Sequence, residues 1–287
     1  MKKSFYTLLS LLAVLSLPVH AQDSDVATAE GEGLGFWTGV EGSTKLAPGL
    51  GFSFEAEYRA RDNFSATDRT NVGVSFSYKN KNLIPWLKVD AGYTFIYNNN
   101  PASTNIKYED DGVTPKHMNV DANYWGMKHR ATASLIGSWK VGRVKLSLRE
   151  RYQYTYRAAA TCDRTRYPYG LLNEYEYVIE DADPIYGFFP DGEQMVDTKN
   201  PKSDHKLRSR LAASYDIRKC KFEPFAEIEF YHDIDAAMAL DKTRYTVGTD
   251  YKLSKTQRFT AYYRYQDHSD GDEAGGHVIG LTYSFDF

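Results

Sequence analysis

Two short stretches carry the residue types of acid–base chemistry. Residues 231–235 read YHDID and residues 266–270 read QDHSD, which supplies Asp233, Asp235 and His268 as rim candidates for a catalytic site. A histidine that exchanges a proton near neutral pH, oriented by a carboxylate, can activate water. Solvated acidic loops carry the same residues, and that is the stronger expectation for both stretches. His129 shares its strand face with Ala131 and Ala133 and has no serine at matching spacing, so a nucleophile–base pair for lipid hydrolysis is not supported. The loops YEDDGVTPKH and DHSDGDEAGGH hold carboxylates but lack the closing glutamate of a calcium loop. Cys162 and Cys220 form neither a redox pair in sequence nor a zinc spacing, and they are expected at opposite ends of the molecule. No metal or other cofactor is expected.

A larger set of charges recurs at every second residue. The acidic members are Glu55, Glu57, Asp90, Glu227, Glu229 and Asp250; the basic members are Arg59, Arg61, Arg149, Arg151, Arg208, Arg210, Arg244 and Arg264. Such residues can line a selective polar pore. They can also fill a narrow barrel with mutual ion pairs. The near balance of signs favours pairing.

The elements that must position these charges are strands. Leu50 to Arg61 (LGFSFEAEYRAR) puts Phe52, Phe54, Ala56, Tyr58 and Ala60 on one face and Ser53, Glu55, Glu57, Arg59 and Arg61 on the other. The same period of two runs through 71–79, 87–97, 129–141, 144–157, 207–218, 222–232, 243–253, 259–266 and 278–287. No amphipathic helix competes with it. The expected fold is all-β: an antiparallel up-and-down transmembrane β-barrel of about 10–12 strands. A soluble secreted β-protein is the alternative, and three features oppose it. The strands run about ten to fourteen residues, against ~5–6 in soluble sheets. Short turns at 47–49, 80–82, 141–143, 219–221 and 254–256 alternate with longer polar connections after Asp62, Asn98, Arg157, Asp233 and Asp267, as periplasmic turns alternate with extracellular loops. The charged faces suit a hydrated lumen better than a dry core. Trp37, Trp86, Trp125, Trp139, Tyr152, Tyr154, Tyr156, Tyr263 and Tyr265 are expected in interfacial girdles.

About eleven strands are legible, the first over 36–46, whereas single-chain bacterial barrels have even numbers. Walking back from the C-terminus, that first strand begins at the wrong rim. A weak extra strand would make about twelve; a first strand outside the wall would make about ten. Glu150 interrupts an outward apolar series of Leu146, Leu148 and Tyr152, as at a bulge or an interfacial position.

Residues 1–21 read as a secretory signal: Lys2 and Lys3, an apolar run over 5–17, then Val19-His20-Ala21. That run is short of the ~20 residues of a spanning helix. The expected organisation is a signal at 1–21, a flexible segment at 22–35 and an outer-membrane barrel at 36–287, with long extracellular loops at about 99–126 and 158–203. The last strand ends on Tyr283, Phe285 and Phe287, which resembles the signal by which barrels are recognised for assembly. The expected location is the cell outer membrane. The expected partners are its lipid and, through that strand, the assembly machinery; the oligomeric state is open. A net charge of −3 gives no basic surface for nucleic acid.

The stretch GFWTGVEGSTKLAPGLGFSFEAEYRARDN, with Trp37, Lys45-Leu46 and the Glu55, Glu57, Arg59 series, resembles the opening of domain-of-unknown-function family 2490. LIPWLKVDAGYTFIY and LSLRERYQY are similar to later strands of that family. The resemblance implies an outer-membrane barrel and no reaction.

Overall fold

A computed structural model describes residues 33–80, 82–169, 188, 191–267 and 276–287. The chain forms β1 (Gly35–Ala47), β2 (Leu50–Arg61), β3 (Ala66–Tyr78), β4 (Leu87–Asn100), β5 (Ser103–Tyr108), β6 (Pro115–Asp121), β7 (Tyr124–Val141) and β8 (Val144–Arg157). It continues through β9 (Ala160–Pro168), β10 (Glu193–Lys199), β11 (Lys202–Tyr215), β12 (Phe222–Asp233), β13 (Ala239–Lys252), β14 (Gln257–Gln266) and β15 (Gly276–Asp286).

Eleven of these strands close into a barrel in the order β1-β15-β14-β13-β12-β11-β8-β7-β4-β3-β2. With an odd number of alternating strands, the first and last run the same way, so the seam must be parallel. It is: β1 pairs with β15 from Gly35↔Val278 to Ser43↔Asp286. The eleven strands are those legible in the sequence and fall within the expected 10–12, and the parallel seam resolves the parity without adding or removing a strand. The strand at 36–46 does begin at the long-loop rim and still joins the wall, because parallel pairing is only slightly weaker per residue than antiparallel.

Period two sorts the side chains inside out relative to a soluble protein. Among the described residues, twenty-one polar or charged residues are buried against seven apolar, aromatic or thiol ones. Val72, Val74, Phe76, Leu135, Leu211, Val247, Ile279 and Leu281 are exposed on the outside. Stacked aromatic pairs stand at both ends of that surface. Trp86 and Trp139 lie 5.7 Å apart near the short turns, and Tyr97 and Trp125 lie 4.6 Å apart near the long loops. At ~3.3 Å per residue and ~45° tilt, the wall between them is roughly 25–33 Å high, the lower figure along β4 and the higher along β7.

Gly49 and Gly142 hold the left-handed backbone conformation at two short turns, with φ of 82° and 61°. Two of the outer connections expected to be long are short, at 62–65 and 234–238. β3 and β13 extend further toward that rim than apolar alternation shows, because ladder hydrogen bonds need no apolar side chains.

In their described residues, the connections β4–β7 and β8–β11 form strands. They carry a second sheet in the order β10-β9-β6-β5, joined across the two hairpins by β6·β9 pairing from His117↔Pro168 to Asp121↔Arg164. The charges at its base lock it. Arg164 donates to both carboxylate oxygens of Asp121 at 2.5 and 3.0 Å and reaches Asp197 at 2.8 Å; Lys199 bridges Asp121 and Asp197. The hydrogen bonds from Arg164, outweighing burial, hold the Asp121 carboxyl below its usual range. Burial disfavours the Lys199 ammonium, but its two carboxylate partners prevail and raise its pKa.

Candidate functional site

Every barrel strand sends at least one buried side chain inward at a level just below the long-loop rim. These are Trp37, Arg59, Arg69, Ile96, Lys128, Thr155, Arg208, Tyr231, Arg244, Gln266 and Val278, in chain order one from each strand of the wall. Two aromatic rings organise the ring of charges. The Trp37 indole carries the guanidiniums of Arg59 at 3.6 Å, Arg264 at 4.9 Å and Arg244 at 5.3 Å from its centroid. The Tyr231 ring carries Arg208 at 4.4 Å, Lys242 at 4.6 Å and Arg244 at 4.8 Å. A cation over an aromatic face is worth ~2 kcal/mol or more when desolvated, so the Trp37 contacts tie β1 to β14 and β13, strands with which it shares no ladder. Gly280 makes room at this level: a Cβ there would lie 2.0 Å from Cζ of the Tyr262 ring.

Carboxylates knit the layer from below. Glu229 accepts from Arg149 at 2.5 Å, from Arg208 at 3.0 Å and from the Tyr231 hydroxyl at 2.9 Å. The Tyr231 hydroxyl in turn accepts from Arg244, whose Nε donates to Gln266 at 2.6 Å. Glu57 accepts from Arg59 at 2.6 Å and Asn71 at 2.8 Å.

Below this layer lies a cavity of about 540 Å³. Its lining runs from Arg59 and Arg244 down to Ser43, Arg258 and Asp286 at the short-turn rim, where Asp286 is exposed. Ten basic side chains face seven carboxylates along it, so the expected balance of signs becomes an excess of three positive charges. Of the charges read from alternation, Glu55, Glu57, Arg59, Asp90, Arg149, Arg151, Arg208, Arg210, Glu227, Glu229, Arg244 and Arg264 line the cavity. Arg61 lies outside it, donating to the Asn99 carbonyl oxygen at 3.0 Å, and Asp250 pairs with Arg258 at 3.2 Å. Glu41, Lys88, Arg130 and Arg258 belong to the lining and were missed, although the same period of two places each of them inward. Arg130 reaches the Thr155 hydroxyl at 3.4 Å and no carboxylate among the described residues.

Trp37 corrects the expected girdle. It is 4% exposed and points into the lumen, because Trp37 and not Phe36 shares its phase with Arg59 across β1·β2. Glu150 corrects the expected bulge. The register is unbroken through it on both sides, it sits midway along β8 facing outward, and the Ser209 hydroxyl donates to it at 2.6 Å.

The other candidates make local hydrogen bonds where they are described. Asp233 Oδ1 accepts from the backbone N–H of Asp235 and Ala236, and Asp235 Oδ2 accepts from the backbone N–H of His205. His268 lies outside the described residues, as does most of the loop DHSDGDEAGGH. Asp111 closes its own turn with Val113 and Thr114. His129 shares a hydrogen bond with the Tyr93 hydroxyl at 2.7 Å on the outer face. Asp121, Cys162 and Asp197 bring three ligand atoms within 4.8 Å of one another. Arg164 and Lys199 already neutralise the two carboxylates, and burial pushes the Cys162 thiol up, away from the thiolate a metal needs. Cys162 and Cys220 are both free. On the outside of the closing strand, Tyr283, Phe285 and Phe287 form an unbroken aromatic series, with ring centroids 5.9 and 5.8 Å apart.

Residues 34–274 match the family described as "Protein of unknown function (DUF2490)". No curated protein matches the chain. Among solved structures, an anion-selective porin from Comamonas acidovorans is similar at 12% identity, over 85% of this chain and 83% of that one, with a TM-score of 0.22. A likeness of that size carries no argument about function.

Proposed function

The chain belongs to the DUF2490 family, which brings no activity with it, and we propose from its own geometry that it is a non-enzymatic outer-membrane barrel with a closed lumen and an arginine-lined vestibule open to the periplasm. The observation that carries this reading is the buried layer around Trp37 and Tyr231, to which all eleven strands contribute. Below it the cavity reaches the short-turn rim; above it the two-hairpin sheet extends the wall. The bilayer assignment is supported by the exposed apolar outer face and by the stacked aromatic pairs at both of its ends. The export signal read at 1–21 agrees with it, and short turns then face the periplasm.

Planar-bilayer recording of the refolded protein tests the closed lumen. The expected trace is silent; stable open channels in the unaltered protein would sink the reading.

The outer face offers a separate test of the bilayer. Glu150 lies at mid-wall between Leu148 and Tyr152, where a carboxyl would face hydrocarbon. A charged group on the lipid face costs ~2–4 kcal/mol for Arg or Lys at the midplane and less for Glu. Glu150→Leu is therefore expected to stabilise the barrel in lipid by about 1–2 kcal/mol, read from urea unfolding in vesicles. Destabilisation would argue that this face meets something polar.

A further inference from the structure

Four inward arginines stand side by side on two neighbouring strands. In the β8·β11 register Arg149 lies directly opposite Arg210, and Arg151 directly opposite Arg208. All four line the cavity. Like charges directly opposite one another destabilise a sheet, so the block needs anions around it. The chain supplies an incomplete set. Glu229 serves Arg149 and Arg208, Glu227 serves Arg210 at 3.2 Å, and Asp90 stands 3.9 Å from Arg151. The Nε atoms of Arg149, Arg208 and Arg210 are buried with no hydrogen-bond partner among the described residues. A buried guanidinium N–H without an acceptor is costly, and the three side chains that carry these groups line a cavity that already holds excess positive charge.

We propose that this block is the binding site of a small soluble oxyanion of the phosphate class, carrying at least two negative charges, which enters by the short-turn mouth. Guanidinium forks match phosphate and carboxylate oxygens with paired, charge-assisted hydrogen bonds. A planar carboxylate turns its two oxygens to one fork, whereas a tetrahedral phosphoryl group presents oxygens to guanidiniums on both strands at once. The cavity, at about 540 Å³, leaves room for an organic remainder beside the phosphoryl group. The site rests on the closed-barrel reading only for its side of entry.

Calorimetric titration of the full chain, folded in detergent, with inorganic pyrophosphate tests the proposal. One saturable site is expected, weakened about tenfold or more by Arg149→Gln and by Arg210→Gln, and unchanged by Arg218→Gln in the β11–β12 turn. Where a variant fails to fold, the unaltered protein still decides: pyrophosphate should raise its urea midpoint while chloride at equal ionic strength does not. Absence of saturable heat and of a midpoint shift overturns the site, as does equal affinity in both folded glutamine variants. The outcomes separate from the conductance test. A conducting barrel that binds pyrophosphate loses its closed lumen and keeps the site; a silent barrel that binds nothing keeps the closure and loses the site.

Discussion

Replacing Trp37 by alanine is expected to turn a silent barrel into a conducting one. The indole stands in the seam strand β1 and carries three guanidiniums, from β2, β13 and β14, within 3.6 to 5.3 Å of its centroid. Without the ring, Arg59, Arg244 and Arg264 face one another with no shared surface between them. Their repulsion and the vacated volume both favour water in the layer. The cavity below would then communicate with the long-loop side. A large buried side chain cut to alanine costs about 3–5 kcal/mol, so the variant should also unfold at lower urea. Discrete openings in a planar bilayer are the expected readout, with Trp37→Phe as the control, since Phe keeps a ring under the cations. A folded Trp37→Ala barrel that stays silent would show that the remaining inward side chains close the lumen without it.

The second large effect is expected at Glu229. Its carboxylate accepts from Arg149, Arg208 and Tyr231 and lies 4.0 Å from Arg244, with 9% of the side chain exposed. Removing one partner of a buried ion pair leaves uncompensated charge and costs ~3–5 kcal/mol. The polar cavity beside Glu229 has room for water to solvate the exposed charges, so about 3 kcal/mol is expected for Glu229→Ala in urea unfolding. Glu229→Gln should recover part of the loss, because the amide oxygen can still accept from one arginine. Glu41→Ala, at the wetter end of the same cavity, is expected to cost far less. Equal losses at Glu41 and Glu229 would mean that the charge cluster does not carry the stability assigned to it.

Much of the candidate site was legible before any coordinates. Period two in Leu50–Arg61 separates Phe54 and Tyr58 from Glu57 and Arg59, and the wall preserves that separation. The same period reaches Lys88 and Arg130, which alternate with the outward Val89 and Ala131. It could not show that Arg149 meets Arg210. That pairing depends on which strands neighbour one another after a long excursion through β9 and β10, and on a register fixed only in the ladder.

Alternation by itself determined that the chain is all-β and that its apolar and charged side chains take opposite faces; strand length and the alternation of short and long connections pointed the apolar face outward. A pleated strand leaves its side chains no other choice than two faces. Tertiary structure alone decided the closure. Eleven strands joined through a parallel seam bring Trp37 into phase with Arg59 and the inside of the wall, and the indole becomes the stacking surface of a lumen layer instead of a girdle residue. The sign of the cavity was decided the same way: charges spread evenly through the sequence are sorted by depth once the strands tilt and stagger, and the arginines of β8 and β11 collect on one wall.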